Sequence, residues 1–240
     1  YTTIDKPTDY FNTVLYTGNG SSNAITGVGF QPDWIWLKNR STNNSHQLYD
    51  AVRGTTKYLE SDNADSEYTS SDGISAFGSD GFTIAGNLTG ANNSSNNFVS
   101  WNWLGANGTA SNSNGSITST VSANTTSGFS IVSYTGTLGN ATVGHGLGVA
   151  PKVIFIKCRG TGARSWVVYH DSIGNTKHLT LSETDAAATS SASFNNTSPT
   201  SSVFSLGTSN NANDSTTMIA YCFAEKKGFS RFSSYVGNGS

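Results

Sequence analysis

The stretch GVGFQPDWIWLKNR, residues 27–40, decides the fold, because its centre, WIWL at residues 34–37, is apolar at every position. Neighbouring side chains along a strand point to opposite faces. A strand that is apolar on both faces needs cover on both. We therefore predict a central strand, covered on one side by an opposing sheet and on the other by a loop or a neighbouring domain. Pro32 precedes this strand, where its missing N–H costs little.

The same pattern returns at residues 146–159 as GLGVAPKVIFIKCR, an offset of 119 residues (27 to 146). Four further pairs of segments occur in the same order, with offsets that drift slowly. They are FNTVLYTG (11–18) with FSIVSYTG (129–136), YDAVRGTTKYL (49–59) with YHDSIGNTKHL (169–179), DGFTIAG (80–86) with SSVFSLG (201–207), and FVSWNWLGANG (98–108) with MIAYCFAEKKG (218–228). A preserved order with small insertions predicts one unit that has been duplicated.

The duplication predicts the domain organisation. The first unit spans residues 1–106 and the second spans 126–227. Residues 107–125, rich in Gly, Ser and Asn, are predicted as a polar linker, with a short strand at SITSTV (116–121). Residues 228–240 resemble the start of the first unit. We predict that they are either the first strand of a third repeat or a strand that completes the second unit.

The secondary structure is predicted to be strands throughout. The apolar segments are short, rich in β-branched and aromatic residues, and bounded by Gly, Asn, Asp and Ser, and none shows a sustained helical period. In FVSWNW (98–103) we take the alternate positions Val99, Trp101 and Trp103 as the apolar face, so we expect this strand to bury one face. The predicted fold class is all-β, with two tandem antiparallel β-sandwich (jelly-roll-like) domains.

Composition limits the partners. Charged residues make up 12% of the chain, against about 25% in an average soluble domain. The formal net charge of −2 gives no basic surface for nucleic acid or an anionic membrane. No apolar run approaches the length of a membrane span. The opening segment YTTIDKPTDYF has no basic region and no apolar run, so we expect no signal peptide there.

The sequence offers no catalytic constellation. It lacks the common metal, phosphate-loop and nucleophile-elbow motifs, and its four histidines do not recur at equivalent positions of the two units. Their positions are His46, His145, His170 and His178. YHDS (169–172) brings His, Asp and Ser together, but neighbours on a strand point apart, so we interpret it as a strand end entering a turn. We predict no enzyme activity, no catalytic residue, no metal site and no cofactor.

One acidic segment is a weaker candidate. ESDNADSE (60–67) concentrates four carboxylates and has oxygen ligands of the kind that calcium prefers. It lacks the central Gly of a calcium loop, and the second unit has LSETDAAA (181–188) in its place, with fewer ligands. We therefore expect a solvated acidic loop.

The tryptophans allow two interpretations, a sugar-stacking platform or a core. Trp34, Trp36, Trp101 and Trp103 are replaced in the second unit by Val, Phe, Tyr and Phe. A position that accepts Val in place of Trp behaves as a core position, so we favour the core.

Cys158 and Cys222 align with Asn39 and Asn102 of the first unit. This paired exchange suggests that the two strands are neighbours and that the side chains touch. A disulfide and two small buried thiols are both possible, and the thiols are favoured, because the Asn pair serves the same place without a covalent bond.

Three residue types are retained between the units, namely Tyr49/Tyr169, Gly54/Gly174 and Lys57/Lys177. A retained Lys beside a turn would pair with a carboxylate across the strand or cap the turn.

Taken together, TTIDKPTDYFNTVLYTGNGS, ITGVGFQPDWIWLKNRS, LYDAVRGTTKYLESD, SDGFTIAG and VSWNWLGANG resemble a repeat domain of uncharacterised function in fibre, appendage and other virion proteins of aquatic tailed bacteriophages. ATVGHGLGVAPKVIFIK and MIAYCFAEKKGFSRFSSYVGNGS resemble the units that follow in such proteins. The second unit lacks the AVR pattern (51–53), which puts a shared binding role for Arg53 in doubt.

The resemblance implies a non-enzymatic structural module of a phage particle, a fibre, appendage or capsid-decoration protein. Its expected location is the virion, assembled in the host cytoplasm. The expected partners are other virion proteins and copies of itself in a homo-oligomer, with a host surface glycan as a further possibility and neither nucleic acid nor membrane. A glycan-binding adhesin, a polysaccharide depolymerase and a secreted filament or surface-layer protein are the alternatives.

Overall fold

The computed structural model of the chain describes residues 2–160 and 162–239, and most of its regular structure is β-strand. The first half contributes nine strands: β1 (Phe11–Thr17), β2 (Asn23–Ile25), β3 (Trp34–Asn39), β4 (Gln47–Asp50), β5 (Lys57–Glu60), β6 (Tyr68–Thr69), β7 (Ile74–Gly78), β8 (Gly81–Ile84) and β9 (Asn97–Trp103). They form an antiparallel six-stranded sheet in the order β1-β9-β3-β4-β5-β6 and a small sheet in the order β2-β8-β7.

The second half contributes ten strands: β10 (Ala110–Asn112), β11 (Ser119–Asn124), β12 (Phe129–Thr135), β13 (Ala141–Gly144), β14 (Val153–Cys158), β15 (Val167–His170), β16 (Lys177–Thr180), β17 (Ala188–Thr189), β18 (Val203–Leu206) and β19 (Thr217–Phe223). Eight of them form a sheet in the order β10-β11-β12-β19-β14-β15-β16-β17, and β13 pairs with β18. Three one-turn helices, α1 (Thr89–Asn92), α2 (Ser191–Phe194) and α3 (Asn210–Asn213), and 3-10 turns at Pro7–Asp9 and Asp171–Ile173 complete the described structure. The all-β prediction is confirmed.

The two large sheets have the same internal arrangement. The order β1-β9-β3-β4-β5-β6 recurs as β12-β19-β14-β15-β16-β17. The register recurs as well, because Phe11 pairs with Trp103 in the first sheet and Phe129 pairs with Phe223 in the second. The second sheet differs in having β10 and β11 added beyond β12.

Three buried clusters arrange these sheets in four layers. The first cluster joins the small sheet of the first half to its large sheet and includes Ile35 and Leu37. The second, which contains Trp34, lies between the two large sheets, and the third lies between the second large sheet and the β13–β18 pair. Strand β3 therefore sends alternate side chains into two different cores. The prediction of a central strand covered on both faces is confirmed, and its second cover is the other half of the chain.

Strand β9 corrects the expectation that this strand buries one face only. Phe98, Ser100 and Asn102 are fully buried, whereas Trp101 and Trp103 on the opposite face are half-buried. The Asn102 NH₂ group donates to the backbone oxygen of Asn12 (3.1 Å) and to the Ser100 hydroxyl (3.0 Å), whereas its Oδ1 has no partner among the described residues. Small polar residues that bond to backbone can therefore occupy a buried face, which alternation of hydrophobicity does not reveal.

The polar segment 107–125 does more than connect the halves. It contains β10 and β11, and β11 pairs with β12 along five residues, so the segment extends the second large sheet. At the other end, the described residues 231–239 form no strand, and the assignment of residues 228–240 stays a prediction. No helix in residues 2–160 and 162–239 is long and apolar enough to span a bilayer.

Candidate ligand-binding cleft

The inner faces of the two large sheets enclose a cavity of about 710 Å³. Its wall is mostly apolar and rich in aromatic rings, and both sheets and the segment after β19 contribute to it. The aromatic lining residues are Phe11, Trp34, Trp36, Trp103, Phe129, Phe155, Phe223, Phe229 and Phe232. This volume lies within the range of small-molecule sites, which are typically concave, apolar and about 300–1,000 Å³. We refer to it as the aromatic cleft.

The floor of the cleft is a packed group of rings around Trp34. The Trp34 ring stacks on Tyr221, with centroids 4.5 Å apart, and on Phe129, at 5.5 Å. Trp103 lies 4.4 Å from Trp34 on the same sheet. Trp34 is fully buried, so this part of the cleft is the contact between the two halves.

Further along β3, the wall becomes accessible. Trp36 is half-buried, and its Nε1 donates to Nδ1 of His46 at 2.8 Å. This bond leaves His46 Nδ1 as an acceptor, and burial lowers the pKa of His46 below its ordinary value, so the ring is neutral at pH 7. The bond orients the Trp36 indole, whose remaining surface lines the cleft.

The segment after β19 forms one side of the cleft. Phe232 lies 5.8 Å from Phe223, and Phe229 makes an edge contact with Tyr10 at 6.2 Å. The Glu225 carboxylate accepts the Phe232 N–H at 2.9 Å. These contacts place residues 229–232 between the two sheets at the cleft.

The rim of the cleft is polar and acidic. Its lining includes the exposed carboxylates of Glu183 and Asp185, together with His170, Thr180, Thr184 and Ser230, and it includes neither Lys nor Arg. A buried anionic group would therefore find no basic partner in this lining, whereas a cationic group would find the two carboxylates and the aromatic rings. The cleft is suited to a ligand with an apolar or amphipathic surface and no negative charge.

A buried ionic network holds the halves together on the β4 side. Arg53 forms an ion pair with Asp50, and neither side chain has any exposed surface. Asp50 also accepts the Tyr221 hydroxyl of the second half at 2.7 Å, and Arg53 donates to the Leu48 carbonyl at 2.7 Å. Burial opposes the charge of Arg53, but the neighbouring Asp50 and Glu67 carboxylates outweigh it and raise the pKa of Arg53. The role of Arg53 is therefore internal.

The acidic segment 60–67 is a contact between the halves, so the expectation of a solvated loop holds for the exposed Asp62 and Asp65 but is wrong for Glu67. Glu67 pairs with Arg53 at 3.2 Å and with Arg159 at 2.8 Å. Burial alone would raise the pKa of Glu67, but the hydrogen bond from Arg159 and the charge of Arg53 overcome this effect and lower it. Within residues 2–160 and 162–239, no three His, Cys, Asp or Glu residues are grouped so as to hold a metal ion.

Lys157 is the least expected contact of this segment. It has no exposed surface, and its amine donates to the carbonyls of Ala64 (3.0 Å) and Arg164 (2.5 Å). Burial lowers the pKa of Lys157 to about 8. Its first-half counterpart, Lys38, is only half-buried, so the burial arises from the contact with the acidic segment.

YHDS lies at the end of β15 and the start of a 3-10 turn, as expected. Tyr169 is buried, His170 is half-buried and Asp171 begins a 3-10 turn in which His170 Nδ1 accepts the Ser172 N–H at 3.2 Å. A different pair, His178 and Ser193, comes within hydrogen-bond distance (3.1 Å) across fifteen residues, a contact that no sequence motif indicates. In the described part of the chain, no carboxylate bonds to the His178 ring, so this pair lacks the group that would orient a catalytic base.

The cysteines lie on neighbouring strands, as expected, but they do not touch. Cys222 on β19 is opposite Ile154, and Cys158 on β14 is opposite Met218. The two thiols are thus four residues apart along the sheet, about 13 Å at the rise of a strand, which excludes a disulfide. Both are free and buried.

The retained residues have separate explanations. Gly54 and Gly174 both adopt positive φ (86° and 78°), a conformation that favours Gly. Lys57 and Lys177 lie opposite Thr69 and Thr189, so neither β6 nor β17 offers its Lys a carboxylate.

The core interpretation of the tryptophans holds fully for Trp34 only. Trp36 and Trp103 are half-buried and line the aromatic cleft, and Trp101 is half-buried outside it. Trp166, which the sequence did not single out, is fully buried and donates to the Glu60 carbonyl at 2.8 Å. The sequence did contain a signal for the cleft. Position 36 of the first half and its counterpart in the second half, position 155, are both aromatic, as a core shared by the two halves would require.

Comparison with protein families matches residues 6–240 to one family model. Neither the curated proteins nor the solved structures contain a match to this chain. The match covers nearly the whole sequence, including every strand of both halves and all residues of the aromatic cleft. The chain therefore belongs to the family described as Domain of unknown function (DUF7483).

Proposed function

We propose that this chain is a non-enzymatic structural module of a bacteriophage particle, a fibre, appendage or capsid-decoration protein. Its partners would be other virion proteins and copies of itself. The observation that supports the proposal is the shared core of the two large sheets, in which Trp34 packs against rings of the other half. Two halves joined by a buried core behave as one stiff body. A particle component that must resist mechanical force requires such stiffness.

Each half of this body is proposed to be an antiparallel sandwich of one large and one small sheet, in a jelly-roll-like fold. The low charge supports an extracellular role, because little of the protein's solubility depends on charges that salt would screen. The contacts between the halves are buried ion pairs and rings, which salt affects less than surface pairs.

The location can be tested with antibodies raised against the purified chain. Immunogold labelling of purified virus particles should place the chain on the capsid or on an appendage. Labelling of cell-surface layers or secreted filaments, with unlabelled particles, would reject the phage proposal in favour of the secreted structural protein.

A second candidate function is host-surface recognition by a glycan-binding module, and the aromatic cleft is the observation that favours it. The face of Trp36 can stack on the C–H face of a sugar ring, and Glu183 and Asp185 at the rim can accept hydrogen bonds from hydroxyl groups. The carboxylates are exposed and the interior is apolar, so the sugar would bind with its polar edge toward the rim.

Binding can be tested on a glycan array, followed by titration of any hit. Trp36→Ala should abolish binding, whereas Trp101→Ala should preserve it, because Trp101 is also half-buried but does not line the cleft. An array without hits, or equal binding by the two variants, would reject this function for the cleft.

A further inference from the structure

Strand β1 is the longest unpaired sheet edge in residues 2–160 and 162–239. It has seven residues, whereas the other terminal strands of the two large sheets, β6, β10 and β17, have two or three. Proteins usually protect such edges with short strands, charges, Pro or bulges. The sequence of β1, FNTVLYT, contains no charge and no Pro, and its pairing with β9 has no irregularity.

The backbone of β1 presents open hydrogen-bonding groups along this edge. The bonds Leu104 N–H to Tyr10 O (2.9 Å) and Gly18 N–H to Asn96 O (2.8 Å) show that even-numbered residues bond to β9. The backbone N–H and C=O groups of the odd-numbered residues 11–17 therefore point away from β9, toward the open edge of the sheet. Within the described structure, the Leu15 N–H and C=O have no partner, and the Leu15 side chain is 63% exposed. On the same edge, the Thr13 N–H donates to Oδ1 of Asn12 (2.9 Å), and the Thr17 carbonyl accepts from Nδ2 of Asn23 (3.3 Å).

In the second half, the equivalent sheet edge is paired with another strand. Strand β12 occupies the position of β1, and its outward residues Phe129, Ile131 and Ser133 pair with Asn124, Ser122 and Thr120 of β11. An antiparallel strand therefore covers this edge in the second half. In the first half, the described residues supply no such strand.

We propose that the β1 edge of one copy pairs with the β1 edge of a second copy, antiparallel about a two-fold axis at Val14. This register is the one that pairs all seven residues, and it sets Thr13 opposite the partner's Leu15. Four pairs of outward residues would then exchange about eight backbone hydrogen bonds, two of which replace the present bonds from the Thr13 N–H groups to the Asn12 side chains. Twofold dimers are the commonest closed assemblies. The inference stands on the sheet edge alone and is independent of the function of the cleft.

Two observations favour a second copy as the occupant. An uncharged strand can pair with itself without like-charge repulsion. Leu15 is also the one large hydrophobic residue, among the described residues of the strands, that is exposed. In the centred register it meets the partner's Leu15 diagonally, within reach of a side-chain contact.

The proposal is tested first by molar mass in solution, measured by light scattering and sedimentation. The intact chain should be a dimer, and Leu15→Lys should weaken self-association about 100-fold or more, because two apolar contacts are lost and two like charges approach. Val149→Lys is the matched control, since Val149 is 43% exposed but lies outside every strand, and it should remain dimeric. A monomeric wild-type chain, or dimers of unchanged affinity in both variants, would overturn the proposal.

A disulfide trap tests the register. Residue 14 of one copy would face residue 14 of the other in a non-hydrogen-bonded pair, with Cα atoms about 4.5 Å apart. Val14→Cys should therefore form a covalent dimer under mild oxidation, whereas Val149→Cys should not, and the native thiols are buried. A dimer that Val14→Cys fails to trap would refute the pairing of β1 with β1.

Discussion

Replacing Arg53 by Met tests whether the buried ionic network stabilises the contact between the halves. The substitution removes the guanidinium and keeps a long apolar side chain. Asp50 would remain without exposed surface and would retain only the Tyr221 hydroxyl and the Arg53 backbone N–H as partners. Glu67 would retain Arg159.

The expected loss is large because the remaining charge cannot reach water. Removing one partner of a buried ion pair costs about 3–5 kcal/mol. At roughly 2–4 °C for each kcal/mol in a chain of this size, the melting temperature should fall by about 6–20 °C. The double variant Asp50→Asn/Arg53→Met should recover part of this loss, because it removes the uncompensated charge as well.

The assay is equilibrium urea unfolding followed by tryptophan fluorescence at pH 7. Lys6→Met is the matched control, since it changes the net charge equally but breaks an ion pair with Asp9 that is 71% and 52% exposed. The control should lie within about 0.5 kcal/mol of wild type. The reasoning is refuted if Arg53→Met costs no more than Lys6→Met, or if the double variant is less stable than the single one.

Three further outcomes are expected. Burial lowers the pKa of Lys157 to about 8, so between that pH and 10.5 the unfolded chain holds a proton that the folded chain has lost. The free energy of unfolding of wild type, minus that of Lys157→Met, should therefore rise by up to about 3 kcal/mol across this window, and a flat difference would contradict the burial of the amine. Trp166→Phe should lower the free energy of unfolding in urea by about 1 kcal/mol more than Trp34→Phe does. The reason is that Trp166 donates to Glu60, whereas the buried Trp34 Nε1 has no partner among the described residues. Equal losses would contradict this account. A thiol reagent should modify neither Cys158 nor Cys222 in the native protein and should modify both in denaturant. Both thiols are buried, and burial raises the pKa of Cys222 to about 12. Reaction of the native protein at either thiol would contradict this burial.

The prediction of β3 as a central strand succeeded because it used a local property. A strand that is apolar at successive positions must be covered on both faces, whatever covers it. The expectation for β9 failed for the opposite reason. Ser100 and Asn102 are buried because their side chains bond to nearby backbone, and hydrophobicity alone does not record such bonds.

The candidate site was less accessible to sequence reasoning. Trp36 on β3 and Phe155 on β14 are more than one hundred residues apart, and they face one cleft only because the two large sheets pack together. The segment 60–67 was expected to be solvated because it is acidic, but its partners, Arg159 and Lys157, come from the other half. Contacts across such a distance in sequence leave no periodic signal in either segment.

The sequence by itself determined the all-β class and the central place of β3, because side-chain alternation and turn residues act within a few positions of the chain. Only the tertiary structure decided that the halves share a core, that Lys157 is buried and that an aromatic cleft opens beside Trp36. Those features depend on how two complete sheets meet, and the free energy of that contact is distributed over side chains from both halves.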